Sequence, residues 1–336
     1  MTRAREQEAM RRAIDLAVTA DIPDGPNPRV GCVLLASDGT VIGEGRHLGA
    51  GTAHAEVQAL QQAGAAARGA TAIVTLEPCN HTGRTGPCSE ALIAAGVERV
   101  VFAQSDPHAL AAGGAARLRD AGIDVEGGVL ESQAEHINIA WTHAVTTGKP
   151  FVTWKVASTL DGRVAAADGT SRWITGEASR AEVHRWRRQC DAIAVGTGTV
   201  AIDDPHLTAR DHTGQLADIQ PLRVIVGNGE ISDGARVLDD AAPTLHLRTH
   251  EVGEVLAALA QRDVRHLLLE GGPRLAAAFL AAGAVDEVVW YVAPLMLGGG
   301  PPALADMGVG TLADGIRLRD VRVEQVGEDA RISGRI

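Results

Sequence analysis

Two short stretches, HAEVQAL at residues 54–60 and TLEPCNHTGRTGPC at residues 75–88, decide the fold of the first half of this chain. The first opens with His-x-Glu at the start of a pattern typical of a helix. The second places Pro-Cys directly after a strand-like run, with eight residues between its two cysteines. One α/β segment therefore carries one His and two Cys, which are metal-binding residue types, with a Glu beside them.

The residues His54, Cys79 and Cys88 match the ligand set of a zinc site that keeps its fourth position for water. Zinc lowers the pKa of such a water to about 7. Glu56 is two residues from His54, so it could take the proton of that water. This combination suits hydrolytic removal of an amine from a ring carbon. The known zinc-deaminase pattern has the same residues but a Cys-x-x-Cys pair, shorter than the spacing here. The alternative is a structural zinc site closed by His81 as a fourth protein ligand.

The segments around this constellation alternate between strand and helix patterns. Residues 30–36 and 41–46 flank the turn SDGT and predict a hairpin, and HAEVQALQQAG predicts a helix that ends at Gly64. Residues 70–76 predict a buried strand, followed by a helix, another strand and one long helix over 132–148. A hairpin followed by βαβα units predicts a sheet covered by helices.

A second α/β domain is predicted after the Gly-Pro-containing break TTGKP, so we assign residues 1–147 to one domain and 150–336 to the other. Apolar strand patterns recur through the second part, which ends in a hairpin around GED. Two turns there, within 195–210 and 267–280, join a strand to a helix start through glycines. Each turn could bind a phosphate group or be an ordinary strand–helix connection. Neither turn has the glycine spacing of a Rossmann fingerprint.

The composition excludes several classes of protein. The chain has 336 residues, 45% of them hydrophobic, and a net charge of −11, which argues against nucleic-acid binding. No apolar run reaches the roughly 18–20 residues of a membrane span, and residues 1–20 predict an amphipathic surface helix, not a signal peptide. Four cysteines do not make a disulfide scaffold, Cys32 and Cys190 are expected to be buried, and we expect a cytoplasmic protein.

The segments PNPRVGCV (26–33), HAEVQAL and EPCNHTGRTGPC, in this order and spacing, closely resemble the deaminase half of the bifunctional riboflavin-biosynthesis deaminase–reductase family. The resemblance continues through ALIAAGVERVVFAQSDP and covers about residues 1–145. It implies a cytidine-deaminase-like three-layer domain. His54, Cys79 and Cys88 are then the zinc ligands, and Glu56 is the proton shuttle.

The same resemblance implies two substrate contacts in this half. Asn27 would hydrogen-bond the pyrimidine ring and His47 would line the cleft; the alternatives are a plain turn residue and a solvent-exposed strand end. The chain departs from the family pattern at Asn80, Gly86 and His108, where Ser, Pro and Asn are common. None of these departures removes a metal ligand.

The second half resembles the reductase half of the same family, on the two glycine-containing turns together with KVASTLDGRVA, SRWIT and VAPLMLGG. This resemblance covers about residues 151–336 and implies a dihydrofolate-reductase-like fold that uses NADPH. The implied NADPH contacts are Ala157, Trp173, Thr199, Asp203, Asn228, Gly272, Pro273, Arg274, Leu275, Ala276, Ala277 and Ala278. The implied substrate contacts are Ser171, Arg187, Leu207, Arg210 and Glu270, and Lys155 is a further candidate.

Several of these reductase residues have a second interpretation. Arg187 and Arg210 suit a substrate phosphate, because guanidinium binds phosphate through two hydrogen bonds. Arg187 otherwise lies on a solvated face of HRWRRQ, and Lys155 is otherwise a charge at the edge of the sheet. Glu270 either lies beside the bound ligands or forms a structural salt bridge with Lys155 between two strands.

We expect two consecutive reactions on one chain. The first domain deaminates a phosphoribosylamino-diaminopyrimidinone, and the second transfers hydride from NADPH to the ribose C1′ of the resulting aminouracil. The substrate is a small molecule, we expect a homo-oligomer, and no nucleic-acid or membrane partner is expected. The rival classes are a polynucleotide-editing deaminase, which needs a basic groove, and a non-catalytic binding protein with a closed zinc site.

Overall fold

The computed structural model describes residues 2–19, 25–81, 86–108 and 111–336. The central part of the loop between the two motif cysteines, residues 82–85, is therefore outside the described residues. The chain divides into two compact units, Met1–Gly148 and Lys149–Ile336.

The first unit is a three-layer α/β structure, as predicted. Its five-stranded sheet has the order β2-β1-β3-β4-β5, with β1 antiparallel to β2 and β3, and with β3, β4 and β5 parallel. In chain order the elements are α1 (Arg3–Thr19), β1 (Gly31–Leu35), β2 (Val41–Arg46), α2 (Ala55–Ala63), β3 (Thr71–Leu76), α3 (Cys88–Ala95), β4 (Arg99–Gln104), α4 (Gly114–Asp120), β5 (Asp124–Glu126), α5 (Glu131–Ile137) and α6 (Ile139–Thr147).

Helices cover both faces of this sheet because its strands are apolar on both sides. On one face Met10 of α1 packs in a cluster with Val33 and Ile73, and on the other face Ala59 of α2 packs with Leu34. The predicted amphipathic N-terminal helix is thus confirmed as α1. The predicted hairpin, the helix ending at Gly64 and the strand before the Pro-Cys turn are confirmed too.

The single long helix predicted over 132–148 was wrong. The structure has two helices, α5 and α6, which are separated at Asn138. The buried Asn138 side chain accepts a hydrogen bond from the Arg29 amide at 2.8 Å and donates one to the Arg29 carbonyl at 3.0 Å. These two hydrogen bonds to a distant backbone hold Asn138 outside the helix, although the local sequence has a continuous helical pattern.

The second unit contains an eight-stranded sheet with the order β12-β13-β11-β6-β10-β7-β8-β9. Its elements are β6 (Phe151–Thr159), α7 (Glu177–Gln189), β7 (Ala192–Gly196), α8 (Thr197–Asp203), β8 (Leu222–Val226), β9 (Thr244–Leu247), α9 (Val252–Ala260), β10 (His266–Leu269), α10 (Pro273–Ala281), β11 (Glu287–Ala293), β12 (Arg319–Val326) and β13 (Asp329–Arg335). The strands β11, β6, β10, β7, β8 and β9 are parallel, and β12 and β13 form the predicted terminal hairpin.

Helices cover both faces of this sheet as well. α9 and α10 pack Leu259 and Phe279 against one face, and α7 packs Val183 against the other. Because the central strands are parallel, the loops that follow β6, β10 and β7 meet at one edge. This is the edge at which ligands bind in open parallel sheets.

Candidate active sites

The three predicted zinc ligands come together in the first unit. The Nδ1 atom of His54 lies 3.2 Å from the Sγ atom of Cys88 and 3.7 Å from that of Cys79. In tetrahedral zinc sites with the usual bond lengths, nitrogen and sulfur ligands lie about 3.6 Å apart. The donor set and its spacing therefore fit zinc.

Local structure at α2 and α3 sets the positions of these ligands. His54 is the N-cap residue of α2, with extended backbone, and Cys88 is the first residue of α3. Gly45 of β2 lets α2 approach the sheet, since a Cβ atom there would lie 2.0 Å from the Ala55 carbonyl oxygen. The Cys88 amide points to the Cys79 sulfur at 3.4 Å, which fixes the two thiols relative to each other.

A carboxylate that the sequence reasoning missed braces the Pro-Cys turn. Glu77 accepts hydrogen bonds from the Ala115 amide at 2.9 Å and from the Asp106 amide at 3.3 Å. Gly114 permits this packing, because a Cβ atom there would lie 1.7 Å from the Pro78 carbonyl oxygen. The signal in the sequence is a carboxylate directly before Pro-Cys, but its partners lie 29 and 38 residues later, after β4 and in α4.

Glu56 lies in the first turn of α2 and is 4% exposed. Burial raises the pKa of its carboxyl to about 6, and the Cys88 thiol is one of its neighbours. The two thiols differ strongly: a hydrogen bond from Cys88 lowers the pKa of Cys79 to about 4, while the pKa of Cys88 is raised. A carboxyl group that is buried against a thiolate-forming ligand set suits proton transfer at the metal.

Asn27 and His47 lie beside the ligand cluster. Asn27 Nδ2 is 3.0 Å from His47 Nε2, and the His47 ring centroid is 5.3 Å from that of His54. His47 is 4% exposed, so the alternative of a solvent-exposed strand end was wrong. Burial lowers the pKa of His47, which favours a neutral ring that can orient a polar substrate.

His81 is exposed and is not part of the group. Among the described residues, the cluster that could hold a metal consists of His54, Cys79 and Cys88. Cys32 and Cys190 are buried, as predicted, and neither is in a disulfide. The geometry therefore favours a site with three protein ligands over a closed four-ligand site.

A charge cluster occupies the ligand-binding edge of the second unit. Arg187 Nε and Nη2 donate to the two Glu270 carboxylate oxygens at 2.7 and 2.9 Å, and Lys155 Nζ lies 3.9 Å from Glu270. Lys155 is on β6 and Glu270 follows the adjacent parallel strand β10, as predicted. The alternative of Arg187 on a solvated helix face was wrong, since 17% of its side chain is exposed.

The protonation of this cluster follows from burial and opposite charge. Burial disfavours the charged form of Glu270, but the charge and hydrogen bonds of Arg187, together with Lys155, lower its pKa to about 2. Burial lowers the pKa of Lys155, while Glu270 partly offsets this effect. The edge therefore presents one carboxylate held between two cations.

The other implied substrate residues lie in different environments. The Leu207 side chain packs in the core at 3% exposure with a backbone φ of 51°, so its side chain is not available to a ligand. Arg210 is partly exposed and donates to the Gly214 carbonyl at 2.8 Å. Ser171 lies in the loop before α7 and is partly exposed.

The implied NADPH contacts surround the start of α10. Gly272 is its N-cap residue and Pro273 its first residue, so the amides of this nine-residue helix point to the ligand-binding edge. A Cβ atom on Gly272 would lie 3.5 Å from the Thr199 hydroxyl oxygen. Ala276 and Ala277 are buried in the core, which leaves the residues from Gly272 to Leu275 and Ala278 nearer the surface.

The remaining implied cofactor residues are spread along the same edge. Trp173 is 69% exposed, with the guanidinium carbon of Arg180 at 4.6 Å from its ring centroid. Asn228 is exposed just beyond β8, Asp203 ends α8, and Ala157 is partly buried in β6. An exposed indole and a free helix start fit a nicotinamide dinucleotide.

Known protein families match both halves of the chain. The family model "Cytidine and deoxycytidylate deaminase zinc-binding region" matches residues 3–104, and "RibD C-terminal domain" matches residues 150–332. In the described part of the chain, no helix has both the length and the apolar character needed to cross a bilayer.

Curated relatives and solved structures align over nearly the full chain. "Riboflavin biosynthesis protein RibD" of Mycobacterium tuberculosis is 50% identical over 327 residues, covering 97% of this chain and 96% of the relative. The Escherichia coli protein of the same name is 38% identical, covering 97% and 98%. RibD of Acinetobacter baumannii superposes with a TM-score of 0.91 at 40% identity, covering 99% of each chain.

A Thermotoga maritima structure, described as a diaminohydroxyphosphoribosylaminopyrimidine deaminase/5-amino-6-(5-phosphoribosylamino)uracil reductase, has a TM-score of 0.90 at 33% identity and covers 99% of each chain. These matches confirm the predicted family and fold. The chain therefore belongs to the RibD family of bifunctional riboflavin-biosynthesis enzymes, in which a zinc-binding deaminase domain precedes a reductase domain.

Proposed function

We propose that this chain catalyses two consecutive steps of riboflavin biosynthesis on a phosphoribosylaminopyrimidine. Residues 1–147 deaminate 2,5-diamino-6-(5-phosphoribosylamino)pyrimidin-4-one. Residues 150–336 reduce the ribosyl side chain of 5-amino-6-(5-phosphoribosylamino)uracil to a ribitylamino group with NADPH. The activities in the description of the Thermotoga maritima relative support this substrate assignment.

In the deaminase, His54, Cys79 and Cys88 hold the zinc ion, which supplies Lewis-acid activation of water. Glu56 takes a proton from the attacking water and delivers it to the departing amine. Its buried position against Cys88, with a pKa raised to about 6, supports a role in both directions of transfer. Asn27, held by His47, orients the pyrimidine ring.

In the reductase, NADPH would supply the hydride. The residues that would hold NADPH are Ala157, Trp173, Thr199, Asp203, Asn228 and the segment from Gly272 to Ala278. Lys155 and Glu270 orient the ribose hydroxyl groups and assist opening of the sugar ring. Arg187 and Arg210, with the backbone at Leu207 and the Ser171 hydroxyl, hold the remainder of the substrate. The ion pairs from Glu270 to Arg187 and Lys155 support this arrangement, because they fix all three side chains before substrate binds.

The observation that carries the proposal is the presence of two complete polar centres, one in each unit: the His54–Cys79–Cys88 cluster with Glu56, and the Lys155–Glu270 pair. The test is to supply the diaminopyrimidinone phosphate with and without NADPH and to identify products by mass. Without NADPH we expect the aminouracil phosphate and ammonia, and with NADPH the ribitylamino product. Absence of the deaminated product would refute the assignment.

We also propose that the enzyme acts in the cytoplasm, forms a homo-oligomer and does not bind nucleic acid. None of the four cysteines is in a disulfide, which suits a reducing compartment. The net charge of −11 disfavours the editing-deaminase alternative, because single-strand binding requires a basic groove. Size-exclusion chromatography with light scattering tests the assembly.

A further inference from the structure

One face of α7 connects the residues implied in cofactor binding to those implied in substrate binding. Arg180, His184 and Arg187 lie within about 60° of one another around the helix axis, since an α-helix turns about 100° per residue. Arg180 lies over the Trp173 ring at 4.6 Å, and Arg187 is paired with Glu270 at 2.7 Å. His184 is one turn from each of them, so it lies between the two groups.

His184 lies close to the charged side chains that we propose bind the substrate. Its electrostatic neighbours are Arg187, Glu270 and Arg210, and its ring is within hydrogen-bonding reach of the Thr208 backbone. Arg187 also donates to the Thr208 carbonyl at 3.1 Å, so helix and loop converge here. His184 is half-buried, and among the described residues its buried Nδ1 atom has no hydrogen-bond partner.

Its surroundings keep this imidazole uncharged at neutral pH. Burial, followed by the charge of Arg187, lowers the pKa of His184 to about 4, although Glu270 opposes the shift. A neutral imidazole carries one donor and one acceptor, whereas the neighbouring Arg, Lys and Glu side chains offer only donors or only acceptors. A hydroxyl group, which also donates and accepts, is the natural partner of such a ring.

We propose that His184 is a further substrate-binding residue of the reductase, hydrogen-bonding a hydroxyl group of the ribose chain between the phosphate and the reacting carbon. This inference rests on the proposed reductase function. Charged side chains suit the phosphate and the ring-opening step, but a chain of neutral hydroxyl groups needs a neutral polar partner. His184 is placed to select a substrate that carries a sugar chain over one that carries phosphate alone.

The test uses the full chain and two probes, inorganic phosphate and ribitol 5-phosphate, with affinities measured by calorimetry. His184→Phe removes the polar atoms at similar size, and His184→Gln restores a neutral donor and acceptor. We expect His184→Phe to weaken ribitol 5-phosphate about tenfold, as for one or two neutral hydrogen bonds, and to leave phosphate unchanged. His184→Gln should remain within about threefold of wild type.

The same variants are assayed with the aminouracil phosphate and NADPH. His184→Phe should lower the reductase kcat/KM about tenfold, mainly through KM, with unchanged NADPH affinity and deamination. Arg185→Gln is the matched control, because Arg185 is the next residue of α7 and is 63% exposed. If Phe is not accommodated, which the thermal midpoint reveals, the smaller His184→Leu takes its place.

Unchanged ribitol 5-phosphate affinity in the Phe or Leu variant overturns the inference. An equal loss for both probes also overturns it, because it assigns His184 to the phosphate. A wild-type enzyme that deaminates but does not consume NADPH with the aminouracil phosphate refutes the proposed reductase function itself, and the inference with it. The wild-type assay thus separates the two failures.

Discussion

Replacement of Glu270 by Gln is the sharpest test of the reductase site. The carboxylate holds the Arg187 guanidinium at 2.7 and 2.9 Å and lies 3.9 Å from the Lys155 ammonium. Its pKa is lowered from 4.5 to about 2 by these partners, against the effect of burial. Lowering this pKa from 4.5 to about 2 corresponds to about 3 kcal/mol of stabilisation, which the neutral amide loses.

The expected outcome has three parts. The free energy of unfolding of the reductase unit falls by about 3 kcal/mol at pH 7, which leaves most domains folded. NADPH consumption with the aminouracil phosphate falls at least about 10²-fold because the ring hydroxyls lose their anionic partner. Deamination in the same preparation is unchanged. Tryptophan fluorescence in urea reports the unfolding, since four of the five tryptophans, all except Trp141, belong to the second unit.

The pH dependence follows from the sign of the shift. Because the folded pKa of Glu270 is depressed, its contribution to stability is fully present above the unfolded value of 4.5 and is lost as the pH falls towards 2. The stability difference between wild type and Glu270→Gln should therefore shrink between pH 5 and about 2. Glu270→Asp, which retains the charge, is the control. A Gln variant that is less stable but reduces substrate within about threefold of wild type would show that Glu270 is only a structural salt bridge.

Three further outcomes are expected. Glu56→Gln should keep one zinc per chain but slow ammonia release by about 10²–10⁴-fold, with NADPH oxidation on the aminouracil phosphate intact; near-normal release excludes Glu56 as proton shuttle. His81→Ala should leave the zinc content measured by atomic absorption unchanged, and loss of zinc would favour a closed site. Arg223 is 0% exposed and donates to the Asp239 carboxylate and to the carbonyls of Asp239 and Ala242. Arg223→Met should therefore lower the free energy of unfolding in urea by about 3 kcal/mol. The control Arg236→Met, at an exposed ion pair, should lower it by less than about 1 kcal/mol.

Local patterns were sufficient for most elements and for the metal cluster. The SDGT hairpin, the helix ending at Gly64 and the terminal hairpin depend on turn residues and periodicity within about ten residues, so the sequence predicts them directly. The features that the sequence did not predict depend on contacts between residues far apart in the chain. The helix break at Asn138 depends on Arg29, 109 residues earlier. The brace at Glu77 depends on Asp106 and Ala115.

In the reductase site too, local patterns were predictable and contacts between distant residues were not. The Gly-Gly-Pro start of α10 and the neighbouring positions of Lys155 and Glu270 follow from strand–helix patterns and the family sheet order. The bidentate contact of Arg187 with Glu270 spans 83 residues and could not be read from either segment. Leu207 stays a predicted substrate contact, but its side chain is in the core, so only its backbone could meet the substrate. The sequence does not distinguish a contact made by the backbone from one made by the side chain.

The long spacing between the two cysteines does not disturb the metal geometry. Cys88 is the first residue of α3, and the amides of Cys88 and Ser89 point to the sulfur and carbonyl oxygen of Cys79 at 3.4 and 3.2 Å. The second thiol is thus positioned by the start of a helix that is itself hydrogen-bonded to the first ligand. The residues next to the two cysteines are also linked, since the Ser89 hydroxyl donates a hydrogen bond to the Asn80 side-chain carbonyl at 2.9 Å. A Cys-x-x-Cys pair and this longer spacing can therefore present the same ligand set, because the helix start places the second thiol.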